Sequence, residues 1–278
     1  SLFNIDFISM ADTHFADRTD EVTELERKND ATVRKVIGEA TVLLENNGVL
    51  PLSKAGKVAL FGNAARNTIK GGTGSGCVNS RYIINIEKGL ENEGFTVTSK
   101  QWLDEYDAHF KEVKKQYLLD IQKWIDEEKV SIILAQMDRP LVEKTIPLIT
   151  DAHIKDADTD VAIYAIGRIS GEGADRLEKP GDYLLNECEI KNLTFLGQHF
   201  KKVIVLLNIG GVIDIKQITS IPGIGAILYI SQCGNQTGSI VADVLLGKSS
   251  PSGKLSTTWA MNYIDYPFAS EFSHLKGS

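Results

Sequence analysis

A loop between residues 167 and 176 places a carboxylate where it could donate a proton. Glu172 lies between two glycines, shortly after a run of apolar residues at 161–166 that is typical of a buried strand. Its neighbours give it little side-chain cover, so the pKa of its carboxyl could rise when a substrate excludes water, which suits a general acid. The alternatives are an ordinary solvated glutamate, or one paired with Arg168 or Arg176.

A second loop, at residues 70–76, reads Lys-Gly-Gly-Thr-Gly-Ser-Gly. Its four glycines permit close approach of the backbone to a ligand. The spacing differs from the Gly-x-Gly-x-x-Gly of dinucleotide-binding proteins, and no Gly-Lys-Ser/Thr of a P-loop follows. These departures count against a flavodoxin-like or Rossmann nucleotide binder, while a simple flexible turn remains an alternative.

A third loop, at residues 231–236, leads into a predicted helix. Asn235 and Gln236 are residue types that cap helices, and we predict that role for them. Other catalytic classes lack the residues they need. No Gly-x-Ser-x-Gly elbow of a serine hydrolase occurs, and no histidine or cysteine has a persuasive catalytic partner in the sequence.

The composition excludes several classes of function. The chain has 278 residues, with 30 Lys and Arg against 37 Asp and Glu, and the net charge of −7 without a basic cluster argues against nucleic acid as a partner. No apolar run approaches the roughly 20 residues that span a bilayer, so we expect no membrane partner. The three cysteines lack metal-ligand spacing, which predicts free thiols in a reducing compartment and no metal. We also expect no cofactor and a cytoplasmic location. The first residues carry no basic segment, so we expect a trimmed start rather than a signal peptide.

Short apolar runs alternate with helical patterns along the chain. The predicted strands are 57–62, 95–98, 161–166, 203–207 and 226–230, and the predicted helices are 20–46, 82–93, 105–129, 186–200 and 238–246. This alternation indicates an α/β fold, an open and mostly parallel sheet covered by helices on both faces, with the three loops at the carboxyl ends of strands. We interpret the stretch at about 100–156 as a helical insertion with a solvated charged face, packed through its aromatic residues on the core or on a neighbouring domain.

Five segments, in this order, resemble glycoside hydrolase family 3, whose members include β-glucosidases. They are Ala-Thr-Val-Leu-Leu-Glu-Asn-Asn-Gly-Val-Leu-Pro-Leu at 40–52, the glycine loop at 70–76, Ser-Gly-Glu-Gly-Ala-Asp-Arg at 170–176, Val-Ala-Asp-Val-Leu-Leu-Gly at 241–247 and Pro-Ser-Gly-Lys-Leu at 251–255. The similarity is to the six-stranded α/β sandwich domain, in a branch that resembles bacterial enzymes. It predicts an arm or linker at 1–29, the sandwich domain at 30–267 and a tail at 268–278.

What the resemblance implies is an active site shared between two domains. In the family, a (β/α)8 barrel supplies an Asp nucleophile and the sandwich domain supplies the general acid/base of a retaining glycosidase. On the matching positions, Glu172 is the expected acid/base. The expected substrate-binding residues are Ser75, Gly74 and Lys70. The expected supporting residues are Arg168, Asp175 and Arg176. The implied substrate is a β-linked glucoside or a related oligosaccharide.

Two departures from the family pattern limit what the chain is expected to do alone. No segment resembles the barrel, and Asn235-Gln236 stands where the family usually has Gln-Glu. We therefore expect one domain of a longer enzyme, inactive by itself, with an exposed docking face through which the fragment could self-associate. The alternative is a stand-alone carbohydrate-binding or regulatory module in which Glu172 only hydrogen-bonds a sugar.

Overall fold

The computed structural model describes residues 21–73, 76, 78–132, 135, 136, 139, 141–170, 176–267 and 269. Six strands form one sheet, and helices flank it. The strands are β1 (Val42–Asn46), β2 (Lys57–Phe61), β3 (Thr96–Val97), β4 (Val161–Arg168), β5 (Lys202–Ile209) and β6 (Ile224–Tyr229). The helices are α1 (Glu24–Ala40), α2 (Ile86–Asn92), α3 (Lys100–Glu128), α4 (Asp151–Ile154), α5 (Glu187–His199), α6 (Lys216–Thr219) and α7 (Thr237–Leu245).

The strand order across the sheet is β1-β6-β5-β4-β2-β3. All neighbouring strands run parallel except β1, which is antiparallel to β6. The two central strands, β4 and β5, pair from Val161↔Lys202 to Arg168↔Ile209 and are buried along almost their whole length. Burial on both faces explains why their sequences are nearly continuous apolar runs instead of alternating ones. The predicted α/β fold, open and mostly parallel, is confirmed.

The predicted helix at 20–46 is wrong in its last six residues. Helix α1 begins at a capping box, in which Thr23 and Glu26 each accept a hydrogen bond from the other's backbone N–H, and it ends at Ala40. Residues Val42–Asn46 form β1 instead. Their apolar spacing suits a helix or a strand. Pairing with β6 favours the strand, because it satisfies the backbone hydrogen-bonding groups of both strands.

The insertion packs on the core through one aromatic row of α3. Trp102 lies edge-on to Phe61 of β2 at a centroid distance of 5.4 Å, and Tyr106 stacks on Trp102 at 5.6 Å. Phe110 continues the row at 6.0 Å from Tyr106. The remaining faces of this 29-residue helix are mainly charged and exposed. Among the helices of the described residues, none is both long and apolar enough to cross a membrane.

Candidate functional site

The loops that follow β2, β4, β5 and β6 meet at the carboxyl-terminal edge of the sheet, and a buried asparagine joins three of these strand ends. The Asn208 Oδ1 atom accepts a hydrogen bond from the Ile69 N–H at 2.6 Å. Its amide nitrogen donates to the Ile69 carbonyl at 3.0 Å and to the Ser231 carbonyl at 2.6 Å. Asn208 therefore fixes the start of the glycine loop against β5 and the end of β6. Sequence reasoning missed it, although an amide inside an apolar strand was a visible signal.

The glycine loop is closed on itself by Lys70. The Lys70 ammonium donates to the Ser80 hydroxyl at 2.6 Å and also to the Val78 carbonyl. The Lys70 carbonyl accepts from the Gly234 N–H at 2.9 Å, which ties this loop to the one after β6. These contacts give Lys70 a bracing role within the loop. The predicted ligands Gly74 and Ser75 lie outside the described residues.

A backbone hydrogen bond connects the two loops that carry the predicted catalytic and sugar-binding residues. The Thr73 N–H donates to the Ser170 carbonyl at 2.8 Å. Thr73 is the last described residue before Gly74 and Ser75, and Ser170 is the last described residue before Glu172. Glu172 and Asp175 themselves lie outside the described residues. The structure thus brings the flanking residues of both loops together at the same edge of the sheet.

Arg168, at the end of β4, is committed to a buried ion pair. Its guanidinium donates to both carboxylate oxygens of Glu189 on α5, at 2.8 and 2.6 Å, and both side chains are buried. It also donates to the Asp182 carbonyl at 3.1 Å. Burial by itself would lower the pKa of Arg168, but attraction to Glu189 outweighs it and raises the pKa. An ion pair between Arg168 and Glu172, one of the alternatives from the sequence, would have to compete with this bidentate contact.

Arg176 braces the far end of the same loop. It donates to the Asp182 carboxylate at 3.1 Å, to the Arg168 carbonyl at 3.4 Å and to the Gly210 carbonyl. Burial lowers the pKa of Arg176, and the Asp182 carboxylate opposes that shift. The Tyr263 hydroxyl donates to the Arg176 carbonyl at 3.1 Å. Arg176 therefore links the exits of β4 and β5 with the C-terminal segment.

A carboxyl group of the insertion reaches the same edge. Asn63, after β2, accepts from the Gly167 N–H at 2.6 Å and donates to the Gly167 carbonyl at 3.2 Å. Asn63 also donates to Glu143 at 2.8 Å, and Glu143 accepts from the Tyr106 hydroxyl at 2.8 Å. Burial raises the pKa of Glu143, against these hydrogen bonds. The insertion thus positions the end of β4, a contact that sequence spacing did not reveal.

The predicted capping role of Asn235 and Gln236 is wrong. The turn at Gly234–Gln236 and helix α7 have no side-chain cap. The Gly238 N–H in the first turn of α7 instead donates to the Ile84 carbonyl at 2.8 Å, and the Ile84 N–H donates to the Asn235 carbonyl at 2.8 Å. Backbone from the neighbouring segment satisfies the helix start, so a side-chain cap is not needed.

Depressions in the surface lie at both edges of the sheet. One of about 490 Å³, near Asp160 and His199, lies at the amino-terminal end of β4 and away from the loops described above. Another, of about 340 Å³, lies at the carboxyl-terminal edge beside β6. Among the described residues, no group of three or more His, Cys, Asp or Glu side chains could hold a metal ion.

A mostly parallel sheet flanked by helices, with polar loops meeting at the carboxyl-terminal edge, is the architecture of open α/β domains, a class in which ligands bind at the strand ends. The family model "Glycosyl hydrolase family 3 C-terminal domain" matches residues 41–276. The chain therefore belongs to glycoside hydrolase family 3, and the resemblance found in the sequence is confirmed.

The chain is similar to several β-glucosidases, both in sequence and in structure. The chain is 34% identical over 241 residues to a β-glucosidase of Ruminococcus albus, covering 86% of this chain and 24% of that protein. It is 33% identical over 259 residues to β-glucosidase A of Butyrivibrio fibrisolvens, covering 84% and 29%. The structure of β-glucosidase 3B from Thermotoga neapolitana superposes with a TM-score of 0.66 at 35% identity, covering 87% of this chain and 32% of that one. A β-glucosidase from Paenibacillus barengoltzii gives a TM-score of 0.68 at 31% identity, covering 91% and 26%. The chain spans about a quarter to a third of the length of these proteins.

Proposed function

We propose that this chain is the acid/base-supplying domain of a retaining β-glucosidase-type glycoside hydrolase. Glu172 protonates the glycosidic oxygen of a β-linked glucoside as its bond to the sugar breaks, while a nucleophilic Asp on a (β/α)8 barrel domain attacks the sugar. The Glu172 carboxylate then takes a proton from the water that releases the sugar from that Asp. Ser75 holds the sugar, with Gly74 allowing close approach and Lys70 bracing the loop.

The observation that carries this proposal is the hydrogen bond between Thr73 and Ser170, 2.8 Å from nitrogen to oxygen. A glycosidase needs its proton donor beside the sugar that other residues hold. The loop that leads to Ser75 and the loop that leads to Glu172 are joined at this bond. The matching order of five family segments gives independent support for both assignments.

The charges around the loop suit a carboxyl that must hold a proton before it reacts. A free cation beside Glu172 would favour the ionised form and lower its pKa. The two arginines that flank it in sequence are paired with other carboxylates, Arg168 with Glu189 and Arg176 with Asp182. We therefore propose that neither arginine forms an ion pair with Glu172, and that Arg168, Asp175 and Arg176 support the loop.

Replacement of Glu172 in the full-length enzyme that carries this domain tests the assignment. Glu172→Ala is expected to lower kcat/KM for cellobiose, which has a poor leaving group, by about 10²–10⁴-fold. Cleavage of the bond in 2,4-dinitrophenyl β-glucoside needs little protonation, so kcat/KM for this substrate, which reports the bond-cleaving step, is expected to be nearly unchanged. The 278-residue chain alone is expected to hydrolyse neither substrate.

Glu178→Gln is the matched control, because Glu178 is an exposed glutamate two residues beyond the end of the same loop. This variant is expected to leave kcat/KM for both substrates unchanged. Equal losses on the two substrates with Glu172→Ala would move the acid/base role to another residue. If the isolated chain hydrolysed either substrate and Glu172→Gln abolished that activity, the proposal that this chain needs a barrel domain would be contradicted.

A further inference from the structure

We propose that a groove beside the candidate site binds a second glucosyl unit of a β-linked gluco-oligosaccharide. This groove, called here the Trp259 groove, lies between the end of β6 at 229–233, the segment 254–259 and the turn after β5 at Gly211. Its volume is about 340 Å³. Pockets for small ligands begin at about 300 Å³, so the groove has room for a single sugar ring. The ligand class rests on the proposed function; the site itself is a separate one.

Two aromatic rings form one wall of the groove. Trp259 and Tyr229 meet edge to face, with centroids 5.4 Å apart and an angle of 71° between the rings. Both side chains are half-buried, so the pair is held in place while part of it remains accessible. The C–H face of a glucose ring is apolar and weakly positive, and it packs on the negative face of an aromatic ring. A β-linked glucosyl unit presents such a face on each side of the ring.

The groove also contains an unmatched hydrogen-bond donor. The Gln232 side-chain nitrogen is inaccessible to water and has no hydrogen-bond partner among the described residues. Buried polar atoms are nearly always paired, so an unpaired one calls for an explanation. Because neighbouring atoms cover this nitrogen, a sugar hydroxyl can accept from it only after the half-buried Gln232 side chain turns toward the groove. The hydroxyls of Ser231 and Thr257, which also line the groove, supply further polar groups for a glucosyl ring.

The groove adjoins the loop that leads to Glu172. A Cβ atom at Gly210 would lie 1.9 Å from the Ser170 hydroxyl oxygen and 3.1 Å from the Gln232 side-chain nitrogen. The side chains of Ser170 and Gln232 therefore converge over Gly210, and only glycine leaves them room. The next residue, Gly211, lines the groove. An oligosaccharide held at one site would thus lie next to the other.

Calorimetric titration of the 278-residue chain with cellobiose and cellotetraose tests the groove directly. Trp259→Ala is expected to weaken binding of cellotetraose about 2- to 12-fold, because an aromatic contact of this kind contributes about 0.5–1.5 kcal/mol. Trp259→Phe keeps a ring and is expected to retain most of the affinity. Trp124→Ala is the matched control: Trp124 is another half-buried tryptophan, stacked under Arg139 on the insertion, and its loss should leave binding unchanged.

Gln232→Ala provides a second variant if Trp259→Ala lowers the thermal midpoint of unfolding. It is expected to weaken cellotetraose binding about threefold or more, since a hydrogen bond contributes about 1 kcal/mol. Unchanged affinity in both variants, or no measurable binding of cellotetraose by the unmodified chain, would overturn the proposal that the groove binds a glucosyl unit. Neither result depends on Glu172. Conversely, a Glu172→Ala enzyme with full activity would remove the catalytic assignment while a loss of binding in Trp259→Ala still supports the groove.

Discussion

The carboxyl-terminal edge of the sheet and the outer face of α3 both carry polar and charged side chains, and they differ in how those side chains are paired. At the sheet edge, Arg168 and Glu189 are buried and bonded to each other and to backbone. On α3, Lys123 and Glu127 lie 3.8 Å apart with side chains 77% and 58% exposed. Water can replace the partners of the second pair but not those of the first. Buried polar contacts at the edge therefore set loop positions, whereas the pairs on α3 mainly keep a surface solvated.

The largest effect is expected where a buried charge loses its partner. Glu189→Gln keeps the shape of the side chain and an oxygen that can accept from the Asn186 N–H, but it leaves the Arg168 guanidinium without its carboxylate. We expect the free energy of unfolding to fall by about 3–5 kcal/mol. Urea unfolding followed by circular dichroism measures this change.

Glu187→Gln tests whether location is the cause. Glu187 lies on the same helix, two residues earlier, and pairs with Lys191 at the surface with its side chain 79% exposed. Its replacement is expected to leave the urea midpoint unchanged. If both variants lost similar stability, the contrast between the buried edge and the solvated surface would be incorrect.

A smaller and more local effect is expected from the asparagine that joins the strand ends. Asn208→Leu removes the partners of the Ile69 N–H, the Ile69 carbonyl and the Ser231 carbonyl. Ile69 and Ser231 are only half-buried, so water can replace some of the lost partners, and we expect a total cost of about 1–3 kcal/mol, concentrated in the glycine loop. We therefore expect faster hydrogen exchange at the Ile69 amide, measured by NMR.

Asn192→Leu separates a local effect from a general one. Asn192 is also buried, and it accepts from the Ile149 N–H at 2.8 Å and donates to the Pro147 carbonyl at 3.0 Å on the insertion side. The Asn192→Leu variant should lose a comparable free energy of unfolding. Hydrogen exchange should become faster at the Ile149 amide and stay slow at the Ile69 amide. Equal changes in the exchange rate of the Ile69 amide in both variants would mean that Asn208 does not specifically stabilise the glycine loop.

The sequence predicted the loops of the site better than the groups that hold them. The glycine loop and the loop after β4 were visible because glycines and a carboxylate followed apolar strands. The partners of Asn208 and Glu143 could not be predicted, because Ile69 and Asn63 are 139 and 80 residues away from them along the chain. Hydrogen bonds at such separations depend on topology, which a local pattern does not contain.

The same reasoning explains the errors in secondary structure. The apolar spacing at 42–46 fitted both a helix and a strand, and the choice depended on β6, which lies more than 170 residues later. Asn235 and Gln236 had the composition of a helix cap, but backbone of Ile84 already occupies that position. The layered α/β fold, by contrast, could be predicted locally. Strands β4 and β5 are buried on both faces, so each has a nearly continuous apolar sequence.

The smallest effect is expected in how stability depends on pH. Burial raises the pKa of Glu143 above its ordinary value of 4.5, so the folded protein keeps this proton to higher pH than the unfolded chain. Ionisation of Glu143 therefore costs folding stability as the pH rises above 4.5, and the cost is complete above the pKa of the folded state. The groups that act on it are Asn63 and Tyr106 through hydrogen bonds, and Glu189 and Arg168 through their charges.

Glu143→Gln removes this ionisation and leaves the other titrating groups in place. Relative to the unmodified chain, the variant is expected to gain stability as the pH rises from 4 to 7, whatever its stability at pH 4. Other carboxyls, such as Glu87 with its lowered pKa, give the opposite slope in both proteins and cancel in the difference. Urea midpoints at several pH values give that difference directly, with the exposed Glu127→Gln as a control whose curve should run parallel to that of the unmodified chain. If the curve for Glu143→Gln were parallel as well, the insertion would place a carboxyl at the sheet edge without desolvating it. The contrast between the buried edge and the solvated surface of α3 would then apply only to Arg168 and Glu189.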